Sequence, residues 1–296
     1  MKKIIILITL VCGLSLMGCK KSEKPTLLVP AGSPLISVAG VLEKFDYEVT
    51  TGPSLVPSEF IKGEKDIIIA PLIIGAKLYI SGSSKYQLAS VIGFSNLYII
   101  SRDKLTNIKN LENKNMLAFG EHATPGIVLK TVLKDQKTNV TWGTDIKEML
   151  APFKTKQYDH VLISEPTLTI LKSQLDEEVY TLPLKETLGQ EIVQVGLFIN
   201  PDSKKNLKSA LKEISNNIAY LKEKPEAYAL EVVDVHQQLS TFGTNVLSLS
   251  IPLMDFDYKK ASSIVKKIEA FFNILNQNNQ ELLLNKLPDQ AFYYEE

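Results

Sequence analysis

Residues 119–133 read FGEHATPGIVLKTVL. A short apolar run, Met116 to Phe119, stops at Gly120; Thr124 can then accept a hydrogen bond from a first-turn N–H, and Pro125 has its φ already set for the first helical position. The order is strand, turn, helix. Apolar Ile127, Val128, Val132 and Leu133 recur so that one side of the helix lies on a sheet while its first turn stays exposed. Exposed N–H groups at a helix start carry roughly half a positive charge, which makes such a turn an anchor for an anionic or carbonyl group. One turn of this kind needs no purpose beyond capping a helix, so its recurrence decides the matter.

Upstream the pattern repeats. Leu27-Leu28-Val29 is followed by Pro30-Ala31-Gly32-Ser33-Pro34, with Ser33 as the expected cap and Pro34 as the expected first helical residue. Tyr47 to Thr50 is a strand that ends at Thr51-Gly52-Pro53-Ser54, and Asp66 to Ala70 is a fully buried strand from which Pro71 opens a helix. Strands alternating with helices at this spacing predict a parallel sheet with right-handed crossovers. Tyr86 to Ile92 and Asn96 to Ser101 are further strands around Gly93-Phe94-Ser95.

Downstream the alternation resumes. Asn139 to Trp142 and His160 to Ile163 read as strands, and the turn Ser164-Glu165-Pro166 leads into a helix from Thr167. Val179 to Leu182 and Val193 to Asn200 complete the strands. Beyond Pro201 the spacing predicts helices: one over 203–224, closed by Pro225, and a clear one from Tyr258 to Leu275. The plan is α/β, a second α/β, then helices. In open parallel sheets ligands bind outside the carboxyl ends of the strands, so these turns predict a shared cleft. The expected ligand contacts are Gly32, Ser33, Gly52, Ser54, Ala70, Pro71, Ser95, Asn96, His122, Thr124, Pro125, Gly126 and Glu165.

The N-terminus is of a different kind. Lys2 and Lys3 precede an apolar core from Ile4 to Leu16, too short to span a bilayer and typical of an export signal. Leu16-Met17-Gly18-Cys19 resembles a bacterial lipobox, which implies cleavage before Cys19 and its lipidation, leaving 19–26 as a polar tether. Cys12 would leave with residues 1–18, so the mature chain would hold no disulfide and no thiolate metal site. With 33 basic and 33 acidic residues and no basic block, nothing in the charge points to nucleic acid.

No motif supports catalysis: G-x-S-x-G, H-E-x-x-H, Walker A and G-x-G-x-x-G patterns are all missing. S-x-x-K at Ser101, Ser209 and Ser263 lacks its companion K-T-G. His122, His160 and His236 have no ligand-like neighbours, so no catalytic residue, metal or cofactor is expected. Arg102 is the arginine nearest the turns. Tyr79, Phe94, Tyr98 and Trp142 are candidates to stack on a ring.

On Asp66-Ile67-Ile68-Ile69-Ala70-Pro71-Leu72 with Gly75-Ala76-Lys77-Leu78, Phe119 to Gly126, Ser164-Glu165-Pro166-Thr167, and Leu287-Pro288-Asp289 with Phe292-Tyr293-Tyr294, the sequence resembles bacterial ABC-transporter substrate-binding lipoproteins. Among these it looks like the NMT1-like or SsuA-like group. The resemblance implies a two-lobed type II periplasmic-binding-protein fold, with a ligand cleft between lobes joined by two crossover strands, Asn96 to Arg102 and Gln194 to Asn200. Lobe 1 would be 27–101 plus 202–296, and lobe 2 would be 102–201. It further implies a monomer that captures an anionic or heteroaromatic small molecule, docks on an ABC permease, and meets the membrane through its lipid anchor only. An exported enzyme or a surface sensor on the same fold is the alternative.

Overall fold

The computed structural model describes residues 24–51, 55–279 and 281–295. The expected export signal 1–18, Cys19, Gly52 and Ser54 lie outside the described residues.

Two sheets organise the chain. The first takes β1 (Thr26–Pro30), β2 (Asp46–Thr50), β3 (Ile67–Pro71) and β4 (Gln87–Phe94), connected through α1 (Ser33–Val38), α2 (Leu55–Lys62) and α3 (Leu72–Ile80). The second takes β5 (Tyr98–Ser101), β6 (Asn115–Phe119), β7 (Asn139–Gly143), β8 (His160–Ile163) and β9 (Tyr180–Pro183), with α4 (Thr124–Val132), α5 (Leu150–Lys154), α6 (Thr167–Ser173) and α7 (Leu184–Leu188). The chain then re-enters the first sheet as β10 (Val193–Ile199) and runs through α8 (Leu207–Glu223), α9 (Pro225–Val232), α10 (Gln237–Ser240) and α11 (Gly243–Ser250). It closes with β11 (Phe256–Lys260), α12 (Val265–Asn278) and an extended tail.

Strand order is β11-β4-β10-β3-β1-β2 in the first sheet and β7-β6-β8-β5-β9 in the second. β1 is parallel to β2 and β3, and β6 is parallel to β7 and β8. β10 runs antiparallel to both β3 and β4. Ile67, Ile68, Ile69 and Ala70 are fully buried, as an uninterrupted apolar run covered on both faces should be. One face of the first sheet packs on α8 and α9 through Leu211, Ile214, Ile218 and Tyr228. The outer face of the second sheet packs on Phe153 and Leu171. The remaining faces of both sheets share one core, which includes Phe198, Ile127, Phe271 and Phe272.

β5 is paired within the second sheet and β10 within the first, and the chain passes between the sheets at 95–97 and again just before β10. One expectation needs correction: Tyr258 opens no helix, because Phe256–Lys260 pairs with the edge of β4, and α12 begins at Val265. α12 packs on α4 of the second lobe. The tail then returns: the Tyr294 N–H donates to the Leu88 carbonyl at 2.9 Å, and Gln87 Nε2 donates to the Ala291 carbonyl at 2.8 Å. Tyr79 Oη donates to Asp289 at 2.8 Å, which gives the terminal Asp289 to Tyr294 segment its structural role. Among the described residues no helix is long and apolar enough to cross a membrane.

Candidate functional site

At α1 and α4 the helix begins one residue earlier than its proline suggests. Gly32 adopts φ +86°, open to glycine without strain, and is itself the cap of α1; Ser33 and Pro34 fill the first two helical positions. At α4 the cap is Ala123, without a side-chain bond, so Thr124 is not the cap and Pro125 is the second helical residue. Gly120, at φ +69°, makes the turn, and its carbonyl accepts from the Ala123 and Gly126 N–H groups at 2.9 and 3.0 Å. A Cβ on Gly126 would lie 2.4 Å from that carbonyl oxygen. Gly126 is therefore required by packing within the turn, and its N–H is spent there.

The crossing between sheets is pinned in both directions. Ser95, at φ +36°, donates its N–H to the Ile192 carbonyl at 2.8 Å, and its Oγ accepts from the Ile192 N–H at 3.1 Å. The Asn96 N–H donates to Gln194 Oε1 at 2.7 Å. From the same residue Nδ2 donates to the Glu165 carbonyl at 3.1 Å, and Oδ1 accepts from the Glu165 N–H at 2.8 Å. Asn96 thus ties the crossing to β10 on one side and to the β8–α6 turn on the other. Tyr98 on β5 adds a tie by donating its Oη to the Leu253 carbonyl. Burial, with the Glu165 and Asp255 charges nearby, pushes that phenol up to about 12.

These constraints enclose a cavity of about 90 Å³ between the sheets. Ser33 reaches it from α1, Pro125 from α4, Ser164 from the end of β8, and Asn96 and Gln194 from the two crossings. Phe94, Phe119, Met254 and Phe256 form its apolar wall. A hollow of about 300 Å³ beside Tyr258 and Tyr294 is larger but gathers residues from the flank of the first lobe alone. Of the two, the smaller cavity has walls from both lobes, and it lies where the carboxyl ends of β1, β6 and β8 converge.

Of the expected contacts, Ser33, Asn96 and Pro125 line this cavity. Gly32, Ser95, Thr124, Gly126 and Glu165 adjoin these lining residues in sequence without lining it themselves. Ala70 and Pro71 are paired with Gly196 and Val195 of β10. His122 points to solvent, its side chain 83% exposed. Glu165 is buried; one carboxylate oxygen accepts from the Thr169 N–H at 3.0 Å and the other has no partner. Burial pushes that carboxyl above the usual glutamate range. Phe94 lines the cavity, whereas Trp142 lies under the Lys130 ammonium on β7, with the nitrogen 5.1 Å from the ring centroid. Gln194, Met254 and Phe256 escaped the sequence reading. A polar Gln194 inside the apolar run VQVGLFI was the one available signal.

Ser101 Oγ lies 2.9 Å from His160 Nδ1, and His160 Nε2 lies 3.6 Å from Asp103 Oδ2. This is the constellation of a hydrolase but not its environment. Ser101 and His160 are buried, the Ser101 hydroxyl donates to the Asp103 carbonyl, and the pair sits at the end of β5 and β8 opposite the cavity. Among the described residues no group of three or more His, Cys, Asp and Glu could hold a metal ion.

The fold recurs in solved structures. A structure described as an ABC transporter from Parabacteroides distasonis superposes with a TM-score of 0.80 at 19% identity, covering 93% of this chain and 100% of that one. The periplasmic aliphatic sulphonate binding protein SsuA from Escherichia coli gives 0.71 at 14% identity, with 93% of each chain covered. The alkanesulfonate-binding protein SsuA from Xanthomonas axonopodis pv. citri, bound to MOPS, gives 0.65 at 14%, covering 92% and 98%. This chain has the two-lobed type II periplasmic-binding-protein fold. No protein-family model matches the sequence, and no curated protein does.

Proposed function

We propose that the chain is a solute-binding protein that closes its two lobes on a small molecule and delivers it to an ABC importer. One observation carries the reading. The cavity walled by both lobes, at the carboxyl ends of β1, β6 and β8, sits on a fold shared with proteins described as ABC-transporter and sulfonate-binding components. The Leu16-Met17-Gly18-Cys19 motif supports attachment by lipid at Cys19 to the extracytoplasmic face of the membrane, where a receptor would act as a monomer beside its permease. The enzyme alternative finds no support in the sealed Ser101–His160 pair.

Mass spectrometry of whatever co-purifies with the protein, followed by thermal melts with candidate solutes, tests the reading. A solute at a hundred times its Kd should add about 2.7 kcal/mol to stability. If sulfonates, pyrimidines, flavins, amides and small anions all leave the midpoint unmoved, the proposal loses its support.

A further inference from the structure

We infer that the cleft selects a small uncharged solute that both gives and accepts hydrogen bonds and has an apolar flank, and that it rejects sulfonate-like and nitrate-like anions. This rests on the solute-binding reading of the same cavity. The polar groups on the wall are two hydroxyls, Ser33 and Ser164, and two amides: Asn96, whose side chain is engaged by the Glu165 backbone, and Gln194, whose Oε1 accepts from the Asn96 N–H. The hydroxyls can each donate and accept, and none of the four groups carries a formal charge. The rest of the wall is aromatic or aliphatic.

Among the described residues, the cations Arg102, Lys259 and Lys185 are engaged within the protein. Arg102 is the chain's one arginine, and it is spent inside the second lobe. Its Nε and Nη2 bond Glu177 at 2.9 and 2.7 Å, Nη1 bonds the Tyr158 carbonyl at 3.3 Å, and the guanidinium covers the Phe153 ring at 4.1 Å. Lys259 lies behind Phe94, 4.6 Å from the ring centroid, where it pairs with Glu191 at 2.9 Å and Asp257 at 3.7 Å, carboxylates that Lys267 and Lys222 also hold. Lys185 is likewise paired with Asp255 at 3.0 Å.

Among the described residues, prolines and internal partners remove some of the donors at the starts of α1, α4 and α6. In α4, Pro125 has no N–H and the Gly126 N–H is bonded to Gly120. In α1 the second residue is Pro34. At α6 the Thr169 N–H is already held by the Glu165 carboxylate, so the protein's own acid occupies the position an anionic ligand would take. That carboxyl is buried one residue along the chain from the lining Ser164. The cavity, about 90 Å³, bounds the solute to a small molecule.

Equilibrium dialysis of the full chain in detergent against matched pairs provides the test: urea with nitrate, acetamide with acetate, and benzamide with benzenesulfonate at equal millimolar concentrations. In at least one pair the neutral member should be retained at least about tenfold more strongly than its anionic counterpart. Equal or stronger retention of the anion in every pair that binds would overturn the inference and leave solute binding standing. Retention of no member of any pair would overturn both.

Discussion

At the scale of single residues, Asn96 and Glu165 carry the most consequence. Asn96 satisfies both backbone groups of Glu165 and is itself held by Gln194, so truncation strands a buried N–H and carbonyl. Asn96→Ala should cost about 1–3 kcal/mol, read as a lower urea midpoint. Glu165 predicts a pH dependence. Its folded pKa is raised above 4.5 by burial, so the unfolded chain ionises first and binds fewer protons across that window. Stability from this group is greatest below pH 4.5 and declines as pH rises through the folded pKa. Glu165→Gln should flatten the decline in urea titrations run on both sides of that window, and an unchanged slope would refute the assignment. His160 acts in the opposite sense: burial lowers its pKa from 6.5, so its share of stability is present above pH 6.5 and is lost as the solution is acidified.

Among elements, the turn before α4 is the tightest. Gly126→Ala would drive a Cβ into the backbone of Gly120 and Glu121, at 2.4 and 2.6 Å, and should destabilise by about 1–3 kcal/mol. Thermal melts should show that loss whether or not a solute is present, which separates packing from binding. α12 offers the contrasting case. Phe271 is 1% exposed in the core shared by the lobes, and Phe271→Ala should cost about 3–5 kcal/mol in denaturant titrations. Elements also show what the sequence could disclose. The strands before α1, α3, α4 and α6 were legible because glycine, proline and a change of hydrophobic period mark each boundary locally. β11 was not, since Phe256–Lys260 becomes a strand only by bonding to β4, more than a hundred residues away, and its Tyr258 and two lysines suit a helix as well. The cavity was half legible for the same reason. Ser33, Asn96 and Pro125 stand beside recognisable turns, whereas Gln194, Met254 and Phe256 arrive through long-range pairing.

For the whole molecule, the shared core sets the expectation that the lobes unfold together. The chain's one tryptophan, Trp142, lies on β7 and reports on the second lobe, while far-ultraviolet circular dichroism reports on both. The two signals should trace one urea transition; separate midpoints would show that α12 and the crossings do not couple the lobes. The strand order also ranks the events of synthesis. The second sheet is built from one contiguous stretch, Tyr98 to Pro183, and has all its strands as soon as that stretch is made. In the first sheet the place between β3 and β4 stays vacant until β10 emerges. A growing chain therefore carries one unpaired edge of β3 and both edges of β4 for about a hundred residues of elongation, and the half of the molecule that begins first is the half that finishes last.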